Sequence, residues 1–331
     1  MEFPPITILG AGSWGTALAV HLARVGQPVN LWEFDKDQVA LLQRDRTNQR
    51  YLPGIALPDS VQVFADMTDA VVGAQDVLLV VPSFAFAQTL LSLKPLINSD
   101  TRVAWGTKGI DHDSNRLLHE LVLENLGERP IAVLSGPSFA KEVAQGLPTA
   151  IVTASNDKTF MQDLVARFNQ RAFRVYMSED IIGVQLGGSV KNVIAIAVGA
   201  SDGLHYGANA KSALITRGLA EIMRLGVAMG ARPQTFMGLS GMGDLVLTCT
   251  DDQSRNRRLG LAIAKGKSIE SAMEEIGQVV EGINTVEQVL YLANKYQVEM
   301  PICQQVYRVL HGKVQLKDAV TELLSRGPKF E

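Results

Sequence analysis

A short apolar run, Ile6 to Leu9, ends directly in Gly10-Ala11-Gly12-Ser13-Trp14-Gly15, and Thr16 to Val25 then reads as a helix stopping near Gly26. Strand, G-x-G-x-x-G, helix is among the most restrictive local patterns a chain can carry. The glycines permit a tight turn, close approach of a pyrophosphate and close packing of helix on strand. The free N–H groups at the helix start face the phosphates. The next apolar run, Val29 to Trp32, reads as a second strand with Glu33-Phe34-Asp35 at its end. An acidic side chain there accepts from the adenosine ribose hydroxyls and repels a 2′-phosphate, so Glu33 leans the site toward NAD over NADP. Lys36, Arg44 and Arg46 lie close in sequence and pull the other way.

The alternation continues. Asp76 to Val81, Thr101 to Trp105, Ile131 to Leu134, Ala150 to Ala154 and Phe173 to Tyr176 read as strands. Phe84 to Leu93, Ser114 to Leu126, Phe139 to Ala144 and Lys158 to Phe168 read as helices between them. This is the signature of an α/β chain with an open, Rossmann-like, mainly parallel sheet. Ligands of such sheets bind beyond the carboxyl ends of the strands. The candidates are therefore Pro82-Ser83-Phe84, Gly106-Thr107-Lys108-Gly109 and Ser135-Gly136-Pro137-Ser138-Phe139. Lys108, between glycines, is a ligand-facing amine or a solvated loop lysine. Gly136-Pro137-Ser138 opens a helix, where Ser138 meets an anionic oxygen or simply caps.

After Tyr176 no strand pattern remains, which divides the chain into a dinucleotide-binding domain over 1–180 and a helical substrate domain over 181–331. Ile181 to Ala200 is almost wholly apolar, broken only by Gln185, Ser189, Lys191 and Asn192. Every fourth residue gives Gly183, Gly187, Lys191, Ala195 and Gly199, one helix face carrying a single amine among residues with little side chain. Small residues let another backbone pack close or leave room for a ligand. Burial of an ammonium is costly unless an anion or hydrogen-bonding group meets it, and desolvation lowers its pKa. A lysine so placed is suited to proton exchange. The competing reading is a structural lysine that snorkels out of a tight helix pair. A membrane span fits by length, but a central Lys-Asn pair and interior glycines argue against it.

Two further stretches carry chemistry. Ser240-Gly241-Met242-Gly243-Asp244 is a glycine-rich turn with one carboxylate. Gln253-Ser254-Arg255-Asn256-Arg257-Arg258 gathers donors at a helix start, as a phosphate requires, unless it is a solvated charge run neutralised by Asp251 and Asp252. The formal net charge of −3 gives no reason to expect nucleic acid or an anionic membrane as partner. Cys249 and Cys303 support neither a disulfide framework nor a zinc site, and the scattered histidines build no metal motif. The first residues lack a basic region followed by an apolar run and cleavage site, so a cytoplasmic enzyme is expected. A dehydrogenase of another phosphorylated or carboxylated hydroxy compound, and a non-enzymatic dinucleotide sensor, remain as alternatives.

The motifs GAGSWGTALA (10–19), TKG (107–109), SGPSFAKE (135–142), GVQLGGSVKNVIAIA (183–197), GMGDLVLTCT (241–250), QSRNRR (253–258) and GQVVEG (277–282) together resemble those of bacterial NAD(P)-dependent glycerol-3-phosphate dehydrogenases, in family order over nearly the whole chain. The resemblance implies a 6-phosphogluconate-dehydrogenase-like fold: a Rossmann-like domain followed by an all-helical one. It implies reversible reduction of dihydroxyacetone phosphate with NAD or NADP, feeding glycerophospholipid synthesis. It makes Lys191 the proton acceptor, with Lys108 and Asp244 as catalytic neighbours. Lys108, Gly136, Ser138, Lys191, Asp244, Ser254, Arg255 and Asn256 match substrate-contacting positions. Ser13, Trp14, Phe34, Lys108, Ala140, Arg255, Val279 and Glu281 match cofactor-contacting ones, beside Gly10, Gly12, Gly15 and Glu33. Glu33-Phe34 departs from the Arg or His found there in NADP-preferring members. A small phosphorylated molecule is the expected partner, and a homodimer is plausible from the apolar helical half.

Overall fold

The computed structural model describes residues 3–170 and 172–327. The chain divides into two compact units, one of residues 1–111 and 116–185, the other of 112–115 and 186–331.

The first unit holds β1 (Ile6–Leu9), α1 (Ser13–Arg24), β2 (Val29–Trp32), α2 (Lys36–Asp45), β3 (Thr47–Asn48), β4 (Leu52–Ala56), β5 (Val61–Phe64), α3 (Met67–Val71), β6 (Asp76–Leu79) and α4 (Ser83–Leu93). After these come β7 (Arg102–Trp105), α5 (Leu118–Leu126), β8 (Ile131–Ser135), α6 (Ala140–Gln145), β9 (Thr149–Ser155), α7 (Lys158–Phe168) and β10 (Phe173–Ser178). Eight strands form one sheet in the order β10-β9-β8-β7-β6-β1-β2-β5. Neighbours are parallel except β8 and β9, which run antiparallel. β1 and β6 are buried at every residue, as strands covered by helices on both faces must be. From β1 the chain adds β2 and β5 on one side, then returns to add β6, β7 and β8 on the other. That reversal creates a crevice at the carboxyl ends of β1 and β6.

Several boundaries differ from the sequence reading. The hairpin of β3 and β4 and the short strand β5 carry too few alternating residues to read as strands. The helix expected from Ser114 begins only at Leu118, because Asn115 takes a left-handed φ of +55°. The helix expected to open at Gly136-Pro137-Ser138 starts at Ala140.

The second unit is helical. α8 (Ile181–Gly203) enters it from the first, and α9 (Gly207–Ala228), α10 (Pro233–Phe236), a wide π-helical turn (Leu239–Gly243), α11 (Asp244–Thr250) and α12 (Arg255–Ala264) follow. α13 (Ile269–Ile276), α14 (Glu281–Lys295), α15 (Pro301–Leu310) and α16 (Leu316–Leu324) complete it. Among the described residues α8 alone is long and apolar enough to cross a membrane, but 83% of its most apolar window is buried inside the fold, which marks a core helix. Its small residues serve close packing. A Cβ on Gly187 would lie 2.3 Å from the Ser240 carbonyl oxygen, and one on Gly199 would lie 2.0 Å from that of Arg257. The glycines thus admit the π-helical turn on one side of Lys191 and the start of α12 on the other.

Candidate active site

In the first unit the carboxyl ends of β1, β2, β6 and β7 are level, with Leu9 in register with Trp32 and Leu79, and Leu79 with Trp105. Gly10 follows at φ +112°, and a Cβ there would meet the Val80 carbonyl oxygen at 2.8 Å. A Cβ on Gly15 would lie 2.0 Å from the Gly10 oxygen, so α1 sits directly on the turn. Gly12 faces open space, with nothing within 4 Å of a Cβ. It caps α1 with no side-chain bond, which leaves the first-turn N–H groups directed at that space. A cradle a side chain would fill, at an uncapped helix start, fits a dinucleotide pyrophosphate.

Around it, Ser13 donates to the Tyr51 carbonyl at 2.7 Å, and the Trp14 indole N–H is buried without a partner among the described residues. A Cβ on Gly106 would come within 2.9 Å of that nitrogen, so the glycine after β7 makes room for the indole. Glu33 is 6% exposed and accepts from the Ala11 amide at 3.1 Å and the Asp35 amide at 3.2 Å. Burial pushes its pKa up, while those amide bonds pull the other way. The sequence reading aimed this carboxylate at a ribose; it also braces the fingerprint turn. Asn48 does the same from the other side, donating to the Ala11 carbonyl at 2.7 Å and to Thr16 Oγ1 at 2.8 Å. No sequence signal singled out Asn48, since its partners are 37 and 32 residues away. Phe34 is 77% exposed and open to stack on a flat group.

Lys108, half-buried just past β7, donates to the Gly136 carbonyl at 3.0 Å, and the Ser138 hydroxyl donates to the same oxygen at 2.9 Å. Gly136 itself needs φ +143°, and a Cβ would meet the Ile151 Cα at 2.9 Å. Two strand ends thus converge on one carbonyl. Ser138 spends its proton on this tie and caps no helix. Ala140, half-buried, starts α6 beside it.

In the second unit the Lys191 amine donates to Asp244 Oδ1 at 2.5 Å and to Thr248 Oγ1 at 2.7 Å. Thr248 in turn donates to the Asp244 carbonyl at 2.6 Å. The lysine therefore does not snorkel; the carboxylate that follows the π-helical turn compensates its charge. Thr248 was missed by the sequence reading, hidden in the apolar run Leu245–Cys249. The neighbouring Cys249 thiol is pushed up to about 12 by burial and is chemically inert.

Ser254 caps α12 by accepting the Arg257 amide at 3.2 Å. Asn256 is buried. It donates to Asn192 Oδ1 at 3.0 Å and accepts the Gly282 amide at 2.9 Å, so it links α8, α12 and the start of α14. Its amide carries two donor hydrogens, and this geometry uses one. The Arg255 guanidinium has no hydrogen-bond acceptor among the described residues. Desolvation lowers its pKa, and the Glu281 charge acts in opposition. A half-buried guanidinium with unspent donors is a ready partner for a phosphate. Val279 and Glu281 are half-buried at the turn into α14.

Comparison with known proteins gives one consistent outcome. Residues 5–161 match the NAD-dependent glycerol-3-phosphate dehydrogenase N-terminus model, and residues 180–321 match the corresponding C-terminus model. A glycerol-3-phosphate dehydrogenase [NAD(P)+] of Tolumonas auensis is 55% identical over 328 residues, covering 98% of each chain. The crystal structure of glycerol-3-phosphate dehydrogenase from Coxiella burnetii is similar with a TM-score of 0.96 at 52% identity, covering 98% of this chain and 100% of that one. The Saccharomyces cerevisiae enzyme is similar at 26% identity with a TM-score of 0.83, covering 98% and 99%.

Proposed function

The chain belongs to the NAD-dependent glycerol-3-phosphate dehydrogenase family, and on that premise we propose that Lys191 is the proton donor and acceptor of its reaction. The activity is the reversible NAD(P)H-dependent reduction of dihydroxyacetone phosphate to sn-glycerol 3-phosphate. One observation supports the role of Lys191 above the rest: a buried amine held by a carboxylate and a hydroxyl, on the apolar core helix of the second unit.

A nicotinamide cofactor held by the Gly10–Gly15 turn would supply or accept the hydride at the second carbon of the substrate. Lys191, as ammonium, donates a proton to the oxygen of that carbon as it becomes an alkoxide, and the neutral amine removes the hydroxyl proton in oxidation. Asp244 compensates the ammonium charge, and Thr248 fixes the direction of the amine. Lys108, with Gly136 and Ser138, orients the carbonyl end. Arg255, Ser254 and Asn256 hold the phosphate, so that orientation contributes to rate. Gly10, Gly12, Ser13, Trp14 and Gly15 cradle the dinucleotide, and Phe34, Lys108, Ala140, Arg255, Val279 and Glu281 make its remaining contacts. The Glu33 carboxylate at the end of β2 disfavours a 2′-phosphate and makes NAD the preferred form. In this reading residues 1–180 carry the cofactor and 181–331 the substrate chemistry. The enzyme works in the cytoplasm, supplies glycerophospholipid synthesis, and pairs as a homodimer through its helical half.

The test of the phosphate reading is a comparison of dihydroxyacetone phosphate with dihydroxyacetone as NADH-dependent substrates. A kcat/KM strongly favouring the phosphorylated compound is expected, and equal values would overturn it.

A further inference from the structure

The SRNRR run offers three arginines, and among the described residues the guanidinium groups of Arg255 and Arg258 have no hydrogen-bond acceptor. Arg257 is committed elsewhere. Its Nε and Nη2 donate to Asp202 Oδ2 near the end of α8 at 3.2 and 2.7 Å, and its Nη1 pairs with Asp252 in the turn before Ser254. Lys211 on α9 reaches the same Asp202 oxygen at 2.9 Å. The Arg257 and Asp202 side chains are 11% and 13% exposed, so this pair is screened far less than a surface one.

The two helices it joins are in backbone contact. A Cβ on Gly199 of α8 would lie 2.0 Å from the Arg257 oxygen, and one on Gly260 of α12 would lie 2.0 Å from the Ile196 oxygen. Glycine-to-backbone contact sets the distance between helices but presents no side chain to stop α12 from turning about its own axis. The ion pair supplies such a stop beside the buried Asn256–Asn192 hydrogen bond. The Arg257 amide is also the one that Ser254 caps, so this one residue clamps the α12 start through both its backbone and its side chain. Burial works against the Asp202 carboxylate, but its bonds to Lys211 and Arg257 outweigh it and hold the group below the usual carboxylate range.

We propose that the Asp202–Arg257 ion pair is a positioning device: it orients the first turn of α12 so that Arg255 and Ser254 present their donors to the substrate phosphate at a fixed distance from Lys191. Arg257 does not itself touch substrate. The inference rests on the phosphate reading of Arg255.

Steady-state kinetics with NADH and dihydroxyacetone phosphate on Asp202→Asn, Arg257→Gln and the double variant test it, with Arg255→Ala in parallel. Coupling of contacting residues leads to an expected rise in KM for dihydroxyacetone phosphate of about three- to thirty-fold, with kcat and the KM for NADH within about twofold. The double variant should be no worse than either single one, and Arg257→Lys, which keeps a charge for Asp202, should recover most of the loss. An unchanged KM, or a kcat that falls and an NADH KM that rises alongside it as for a general structural defect, overturns the proposal; so does an Arg257→Lys enzyme as impaired as Arg257→Gln. If Arg255→Ala raises KM while the Asp202 and Arg257 variants do not, the positioning role alone fails. If Arg255→Ala leaves KM untouched, the phosphate reading fails and this inference falls with it.

Discussion

Asp244 Oδ1 lies 2.5 Å from the Lys191 amine, 53 residues back along the chain, and the two side chains are only 1% and 8% exposed. In water such a pair is worth little, but here both partners are buried and compensate each other's charge. Removing one leaves a buried charge uncompensated, at a cost of roughly 3–5 kcal/mol. Lys191→Ala should therefore do two things at once. Turnover should fall by about two to four orders of magnitude, the range for loss of a general acid–base group, while NADH binding is nearly intact. Denaturant titration should also show a destabilised helical unit, which pairing Lys191→Met with Asp244→Leu largely restores while turnover stays lost. Near-normal turnover in Lys191→Ala would remove the amine from the chemistry.

Arg255 makes the opposite case, because its guanidinium has no acceptor among the described residues to lose. Arg255→Ala should leave the melting temperature close to that of the parent. Its KM for dihydroxyacetone phosphate should rise by a factor corresponding to roughly 1.5–3 kcal/mol, the worth of hydrogen bonds to a charged group. Unchanged KM and kcat/KM would reduce the α12 start to a solvated surface.

Glu33 carries two duties that separate experimentally. As the charge at the end of β2 it should make kcat/KM with NADH exceed that with NADPH, and a strong NADPH preference would defeat that assignment. As the acceptor of the Ala11 and Asp35 amides it holds the fingerprint turn, so Glu33→Ala should weaken both cofactors together. A variant that merely exchanged NAD for NADP at undiminished affinity would show that the brace is dispensable.

What could be read from the residues alone follows the range of the interactions. Gly10, Gly12 and Gly15 announce their turn because the chemistry lies within six residues. Lys191 stands out because one amine among glycines and alanines contradicts its surroundings. The carboxylate that answers it stands in the sequence only as an aspartate after a glycine-rich turn, and Thr248 is hidden in an apolar helix. The Asn192–Asn256–Gly282 link joins α8, α12 and α14 through bonds spanning 64 and 26 residues, which no local periodicity records. In the sheet, the alternation of strands and helices located β6 to β10, but it holds no signal for the antiparallel step from β8 to β9. The missed β3–β4 hairpin contains Pro53 and Gly54, both poor strand formers.

Glu221 provides a pH test away from the chemistry. It is 2% exposed on α9 and accepts the Ile302 and Cys303 amides at 2.7 and 3.3 Å, capping the start of α15. Burial, against the pull of those amides, raises its pKa from 4.5 to about 7. Below pH 4.5 it is protonated in both folded and unfolded chains and contributes no slope. Between 4.5 and 7 the folded chain holds a proton that the unfolded chain has released, so stability falls as pH rises. Above 7 the cost of the buried charge is complete, about 3 kcal/mol for a shift of this size. Urea unfolding of the parent from pH 5 to 8 should lose about 2.5 kcal/mol more stability than Glu221→Gln, which cannot ionise. Parallel pH profiles for the two proteins would show that Glu221 titrates as an ordinary carboxylate.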